Sequence, residues 1–420
     1  MADRRRAVPV DLASPRRRRE VLVLLCVQVF LIMLGLGLAT PVLPLYARSF
    51  GVGAAAVGFL VTVFGLARMA SNVPAGQWAE RFGRKGLLIA GPLVTAAGSI
   101  GFATAGSYGQ LLGWRLLQGV GSAVLTTAAM VVLADISTAR DRGRVMAFYQ
   151  GSLFLGVGAG PAAGGWLAEA YGLRAPFWAF AGLTLLAGIW AWWRVPETRP
   201  APAPAGAGTT AAPAPPRVPL GRILRDRDFL LISLLTLALF VTRAGGQMTL
   251  LPLYAVDRLD LSEGRIGLAF TAIAAINFAA LYGAGALADR FGRKAVIVPS
   301  GLLTAASIVL FPATGGWGSF LAASFLLGLT TGLAGPAPAA YAADVAPPGA
   351  VGPAMGLFRT VSDVGLVIGP VGVGWIADAS GFAAAFAANA ALLAAITLAF
   401  AFLARETGGR RAARQEAPAK

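Results

Sequence analysis

Gly76-Gln77-Trp78-Ala79-Glu80-Arg81-Phe82-Gly83-Arg84-Lys85 returns 209 residues later as Gly285-Ala286-Leu287-Ala288-Asp289-Arg290-Phe291-Gly292-Arg293-Lys294. In each copy an apolar run closes on an acid, then turns through a glycine into a basic pair. The match extends far beyond these segments. At the same offset Asp135 meets Asp344, and Gly156, Gly160 and Pro161 meet Gly365, Gly369 and Pro370. Even Glu169 meets an acid, Asp378. Chance likeness between apolar segments does not keep glycines and charges in register over such a distance, so the chain reads as a duplicated unit.

What is duplicated follows from composition. Of 420 residues 57% are hydrophobic and 13% charged, against about 25% charged in soluble domains. Apolar windows long enough to cross a bilayer lie near 21–45, 54–77, 87–106, 108–134, 145–169 and 175–195. Six more lie near 229–253, 265–286, 295–313, 317–343, 352–376 and 382–404. The first is longer than the core of a secretory signal and reads as a membrane helix. The expectation is an all-α integral membrane protein of twelve transmembrane helices in two pseudo-symmetric six-helix bundles, 21–195 and 229–404. A basic tail (1–20), a Pro/Ala-rich linker (196–228) read as a mere tether, and a second tail (405–420) complete it.

The net charge of +16 does not form a nucleic-acid-binding face. Its residues sit in short clusters between apolar runs: Arg16 to Arg19, Arg81 with Arg84 and Lys85, Arg140 with Arg142 and Arg144, Arg290 with Arg293 and Lys294. By the positive-inside rule both termini face the cytoplasm of a cell (inner or plasma) membrane. With no histidine and one cysteine, Cys26, a histidine relay, a His-ligated metal and an internal disulfide are excluded. No Walker-type phosphate loop occurs, which argues against ATP-driven pumping. The expected partners are the lipid bilayer and a small-molecule substrate, in a monomer without cofactor, and no enzymatic constellation is present.

The repeated acid–glycine–basic turn resembles the cytoplasmic loop motif of the major facilitator superfamily. Arg115-Leu116-Leu117-Gln118-Gly119-Val120-Gly121 resembles the superfamily's R-x-x-Q-G-x-G motif. Gly156, Gly160, Pro161, Gly164 and Gly165 fit its G-x-x-x-G-P-x-x-G-G motif at every fixed position, with a degenerate copy at Gly365, Gly369 and Pro370. Leu34, Gly35, Pro41 and Pro44 resemble the signature of the twelve-helix drug:proton antiporter branch. The resemblance implies a proton-gradient-driven exporter of small organic molecules working by alternating access. It also implies a cytoplasmic charge latch of Gly76, Glu80, Arg81, Gly83, Arg84 and Asp135, mirrored by Gly285, Asp289, Arg290, Gly292, Arg293 and Asp344. The fifth and eleventh helices become hinges between the moving halves.

Ionisable and amide side chains inside apolar spans are functional candidates by default. These are Arg68, Asn72, Arg115, Gln118, Arg243, Gln247, Asn277, Arg359 and Asp363. Asp363 is the one acid near the middle of a span. Arg359, four residues earlier, is spaced to pair with it. Asp363 is therefore either a proton-coupling carboxylate or half of a structural ion pair. Four arginines against one acid favour anionic or polar ligands, which keeps a uniporter of an anionic metabolite as the alternative.

Overall fold

The computed structural model describes residues 14–138, 141–198, 223–347 and 351–407. The tail before residue 14, most of the 196–228 linker and most of the 405–420 tail lie outside these. The described elements are helical. In chain order they are α1 (Pro15–Ala39), α2 (Leu43–Arg48), α3 (Ala54–Phe82), α4 (Arg84–Thr104), α5 (Tyr108–Ile136), α6 (Arg142–Tyr171) and α7 (Ala175–Arg194). Then follow α8 (Arg227–Val241), a π-helical segment (Thr242–Leu250), α9 (Leu251–Leu259), α10 (Glu263–Phe291) and α11 (Arg293–Leu310). After a short 3-10 turn come α12 (Trp317–Ala334), α13 (Ala337–Asp344) and α14 (Val351–Leu403).

Among the described residues ten helical stretches are long and apolar enough to cross a membrane. The last is two helices divided at Gly381, whose φ is +83°. Helix α6 has the length, 30 residues, but is not among the ten. Dividing α14 and adding α6 yields the twelve expected. Helices suit this setting because hydrocarbon offers backbone amides no partner, so each must be satisfied within its own segment. Large apolar side chains stand on the outer surface, among them Trp192 (67% exposed), Trp375 (65%) and Phe402 (82%). Such an apolar exterior suits contact with lipid.

Of the described residues, those within Met1–Phe50 and Val63–Thr209 form one compact unit, and those within Gly51–Thr62 and Thr210–Lys420 the second. Residues 51–62, grouped by the sequence with the 21–195 bundle, thus fall in the second unit. The reason is specific bonding. The Asp378 carboxylate accepts from the Ala54 and Ala55 amides at 2.8 Å each, and Thr62 Oγ1 donates to the Val367 carbonyl.

Inside a bilayer helices gain little from the hydrophobic effect and associate by close van der Waals packing, which small residues permit. The α1–α6 contact shows this. A Cβ on Gly156 would lie 2.8 Å from Met33 Cβ, and one on Gly164 would run into the Leu38 carbonyl. In the second unit a Cβ on Gly369 would lie 2.7 Å from Val241 Cα, and one on Gly365 would strike the Leu237 carbonyl. These glycines therefore seat α6 on α1 and α14 on α8, each within its own unit. Pro161 and Pro370 lie inside their helices, and Gly165 is buried. For Gly156, Gly160, Gly164, Gly365 and Gly369 the close contacts lie within a unit.

Replacing Gly164 by alanine is expected to destabilise the protein by about 1–3 kcal/mol through overpacking. Gly151→Ala, where nothing lies within 4 Å, should be neutral or slightly stabilising. Thermal unfolding of the two variants in detergent checks this, and equal melting temperatures would refute the close α1–α6 contact.

Candidate functional site

The turn between α3 and α4 is built by Gly83, whose φ of +90° disfavours any side chain. It carries Arg84 inward, where the residue is 4% exposed. The Arg84 guanidinium donates from Nε to Asp135 Oδ2 at 3.1 Å, from Nη2 to Glu80 Oε1 at 3.2 Å, and from Nη1 to the Ala79 carbonyl at 3.3 Å. Two acids from α3 and α5 thus converge on one buried cation. Glu80 is 68% exposed at its side chain and Asp135 14%. The Asp135 pair is the better shielded from solvent and the stronger contributor.

A third acid completes the turn. Glu197 accepts from the Arg84 amide at 3.0 Å and the Lys85 amide at 3.1 Å. It satisfies two orphan donors of the first turn of α4 and sets a negative charge against the positive end of that helix. A Cβ on Gly83 would meet the Glu197 carboxylate, so a side chain there would push the capping acid aside as well as strain the backbone. Thr198 Oγ1 then donates to Asp135 at 3.1 Å.

The second half repeats the design. Gly292 has φ +108°. Arg293 Nε stands 3.3 Å from Asp344 Oδ2, and Nη1 donates to the Ala288 carbonyl at 3.2 Å. Glu406 accepts from the Lys294 amide at 2.9 Å and the Ala295 amide at 3.1 Å. The Arg293 amide donates to the Thr407 carbonyl at 3.1 Å. The side chain of Asp289 lies outside what is described.

Glu197 and Glu406 were missed in the sequence, although they too stand 209 residues apart, each followed by a threonine, Thr198 or Thr407. Extending the offset past the last apolar residue of each half would have found them. The start of the 196–228 segment and of the 405–420 tail is therefore not a tether but part of each cluster. Gly76 and Gly285 play a lesser part than the motif suggests. A Cβ on Gly76 would find only Thr127 Cγ2 at 3.9 Å, and one on Gly285 nothing within 4 Å. Arg81 and Arg290 lie over their neighbours Phe82 and Phe291, at 5.4 and 5.3 Å from the ring centroids.

The polar residues of the spans sort into sealed and accessible ones. Arg115 is buried, donating from Nη1 to Gln118 Oε1 at 2.7 Å with its guanidinium carbon 4.4 Å from the Phe64 ring centroid. Gln118 Nε2 donates onward to Ser99 Oγ at 3.1 Å. Arg68 approaches the same ring at 6.0 Å, so two cations share one aromatic ring. Asn277 donates to Thr331 Oγ1 at 3.0 Å. Asn72 is half-buried.

Arg243 and Gln247 lie on the π-helical segment, a widened form that recurs at functional sites. Arg243 is exposed, and Gln247 faces a small cavity with Phe311 and Phe386. Asn389, overlooked in the sequence because it sits alone in an alanine-rich helix, accepts from Thr242 Oγ1 at 3.0 Å. Its amide nitrogen is buried without a partner among the described residues.

Arg359 and Asp363 do not pair. Neither makes a hydrogen bond or ion pair among the described residues, Arg359 being exposed and Asp363 half-buried. An exposed arginine gains little from pairing and loses side-chain freedom by it. The structural ion pair considered for Asp363 is therefore absent. What remains is a half-buried carboxylate with no counter-ion among the described residues.

The family model described as the Major Facilitator Superfamily matches residues 25–264 and 244–420, nearly the whole chain in two passes. The chain belongs to the Major Facilitator Superfamily. It is a multi-pass membrane transporter, not an enzyme. Among superfamily relatives, the quinolone resistance protein NorA of Staphylococcus aureus is 26% identical over 351 residues, 83% of this chain and 88% of that protein. Multidrug resistance protein 2 of Bacillus subtilis is 29% identical over 176 residues, 42% of this chain and 44% of that protein, so this match spans less than half of the relative. The superfamily fold recurs in the crystal structure of a bacterial homolog of the human lysosomal transporter Spinster, with TM-score 0.76, 16% identity and coverage of 93% and 96%. A D-xylose-proton symporter matches with TM-score 0.71, 16% identity and coverage of 94% and 99%.

Arg84→Ala is expected to cost about 3 kcal/mol by stranding Asp135. The Arg84→Ala/Asp135→Ala double variant should lose clearly less than the sum of the singles. Unfolding midpoints across this cycle test the pair, and additive losses would mean that the two side chains act separately.

Proposed function

We propose that this protein is a proton-coupled exporter of small organic molecules, with Asp363 as a coupling carboxylate. The observation that carries this reading is the half-buried state of Asp363 within a membrane span, with no counter-ion among the described residues. An ionisable side chain so placed is a functional candidate by default. Taking up and releasing a proton there, in step with the conformational cycle, is the proposed coupling. Relatives named for quinolone and multidrug resistance support an organic, drug-like substrate class.

In this reading Arg84 with Glu80 and Asp135, and Arg293 with Asp344, form the charge clusters of a cytoplasmic latch, both termini being cytoplasmic. Arg115, sealed by Gln118 and Phe64, acts on the field inside its half rather than on substrate directly. A second reading, a uniporter of an anionic or polar metabolite, is favoured by the exposed state of Arg243 and Arg359. Accessible guanidiniums without acids beside them attract anions.

Proton flux into proteoliposomes bearing a pH gradient separates the two. Lipophilic cations and organic anions are added in parallel to the wild type and to Asp363→Asn. Substrate-triggered dissipation of the gradient is expected, falling to the leak rate of empty liposomes in the variant. Labelled substrate crossing equally in both proteins without proton movement would remove the antiport reading and leave the uniporter.

A further inference from the structure

In the first unit a cleft of about 730 Å³ opens where the start of α1 meets the end of α5 and the start of α6. Its size falls in the ~300–1,000 Å³ range of small-molecule sites. Arg18, Arg19, Arg144 and Asp141 stand around its polar end. Leu22, Cys26, Phe30, Phe148 and Leu155 line its apolar wall. That wall is open: Phe148 is 58% exposed and Leu155 62%.

The charges at the polar end are not balanced. Of the arginine run, Arg17 donates to Glu20 at 2.8 Å, and Arg16 stands 3.9 Å from the same carboxylate. Asp141 is held by the Thr138 hydroxyl at 2.7 Å and its amide at 2.5 Å. Those bonds keep its carboxyl below the usual range. Arg19 and Arg144 make no hydrogen bond or ion pair among the described residues. Arg18 acts electrostatically on Asp141, and two further guanidiniums, Arg19 and Arg144, border the apolar wall. A small inorganic anion would answer them and leave the wall bare, and a neutral hydrocarbon would do the reverse. An amphiphile with an anionic head satisfies both, the guanidinium fork matching phosphate oxygens.

We propose that this cleft is a binding site for an anionic membrane phospholipid, its phosphate between Arg19 and Arg144 and one acyl chain along Cys26, Phe30, Phe148 and Leu155. With the cytoplasmic placement of the basic loops proposed above, it draws its occupant from the anionic cytoplasmic leaflet. All the residues that line it belong to the first unit.

Cys26 is the single cysteine of the chain and reports occupancy directly. Purified, delipidated protein is alkylated with a maleimide in detergent, with phosphatidylglycerol, with phosphatidylcholine of the same chains, or with dodecyl phosphate. Phosphatidylglycerol at about ten times its Kd should slow alkylation about tenfold, because reaction tracks the unoccupied fraction. Phosphatidylcholine should protect far less. The Arg19→Gln/Arg144→Gln variant should lose the protection while its thermal unfolding stays unchanged. Equal protection by both lipids, or protection that survives in the variant, overturns the proposal. Protection by dodecyl phosphate without protection by phosphatidylglycerol also overturns it, and assigns the cleft to a soluble amphiphilic anion.

Discussion

Helix ends are the costly points of a membrane protein. Within a helix the backbone satisfies itself, but the first amides and last carbonyls are left over, and near hydrocarbon they need partners. Here the turns into α4 and α11 meet that need with carboxylates, Glu197 and Glu406, each taking two backbone amides. The rest of each cluster follows. A glycine at positive φ makes room for the capping acid and turns the next residue inward. That residue is an arginine, which then requires Asp135 or Asp344 from another helix. One turn therefore ties together three helices and the segment that leaves each half. Its residue types are mutually dependent.

Packing between helices rests on a different economy, that of absent atoms. Gly156, Gly160 and Gly164 let α6 lie directly on α1, while Gly365 and Gly369 do the same for α14 on α8. With little hydrophobic drive between helices in lipid, the gain comes from the number of atoms brought to van der Waals distance. Any side chain at these positions holds the backbones apart. Stability and the close seating of the helices thus share the same residues.

The duplication and the helical architecture were legible because both leave periodic traces: apolar windows of bilayer length, and glycines and charges in register at 209 residues. Arg84, Asp135, Arg293 and Asp344 were legible for the same reason. Glu197 and Glu406 escaped because they follow the last apolar residue, in stretches whose proline and charge content reads as linker or tail. Asn389 left no trace, since one amide in an alanine-rich helix carries no pattern until folding sets it against Thr242. The four-residue spacing of Arg359 and Asp363 suggested a pair that is absent. Spacing fixes which side of a helix two residues share, not whether solvent lets a long side chain stay free.

The two halves also interrupt a helix at the same place by different means. In the first, α1 ends at Ala39 and the chain turns through Thr40 and Pro41 before α2. At the matching place in the second, Thr242–Leu250 widens into a π-helix without a break. Proline lacks an amide donor and its ring crowds the preceding turn, which favours a break at this point. A π segment is one surplus residue carried within a continuous hydrogen-bonded ladder. Passing that residue along the helix turns the side chains it crosses by about 100°, the angular step of an α-helix. The second half thus carries Arg243 and Gln247 on a widened but unbroken helix, while the corresponding point of the first half is a turn between two helices.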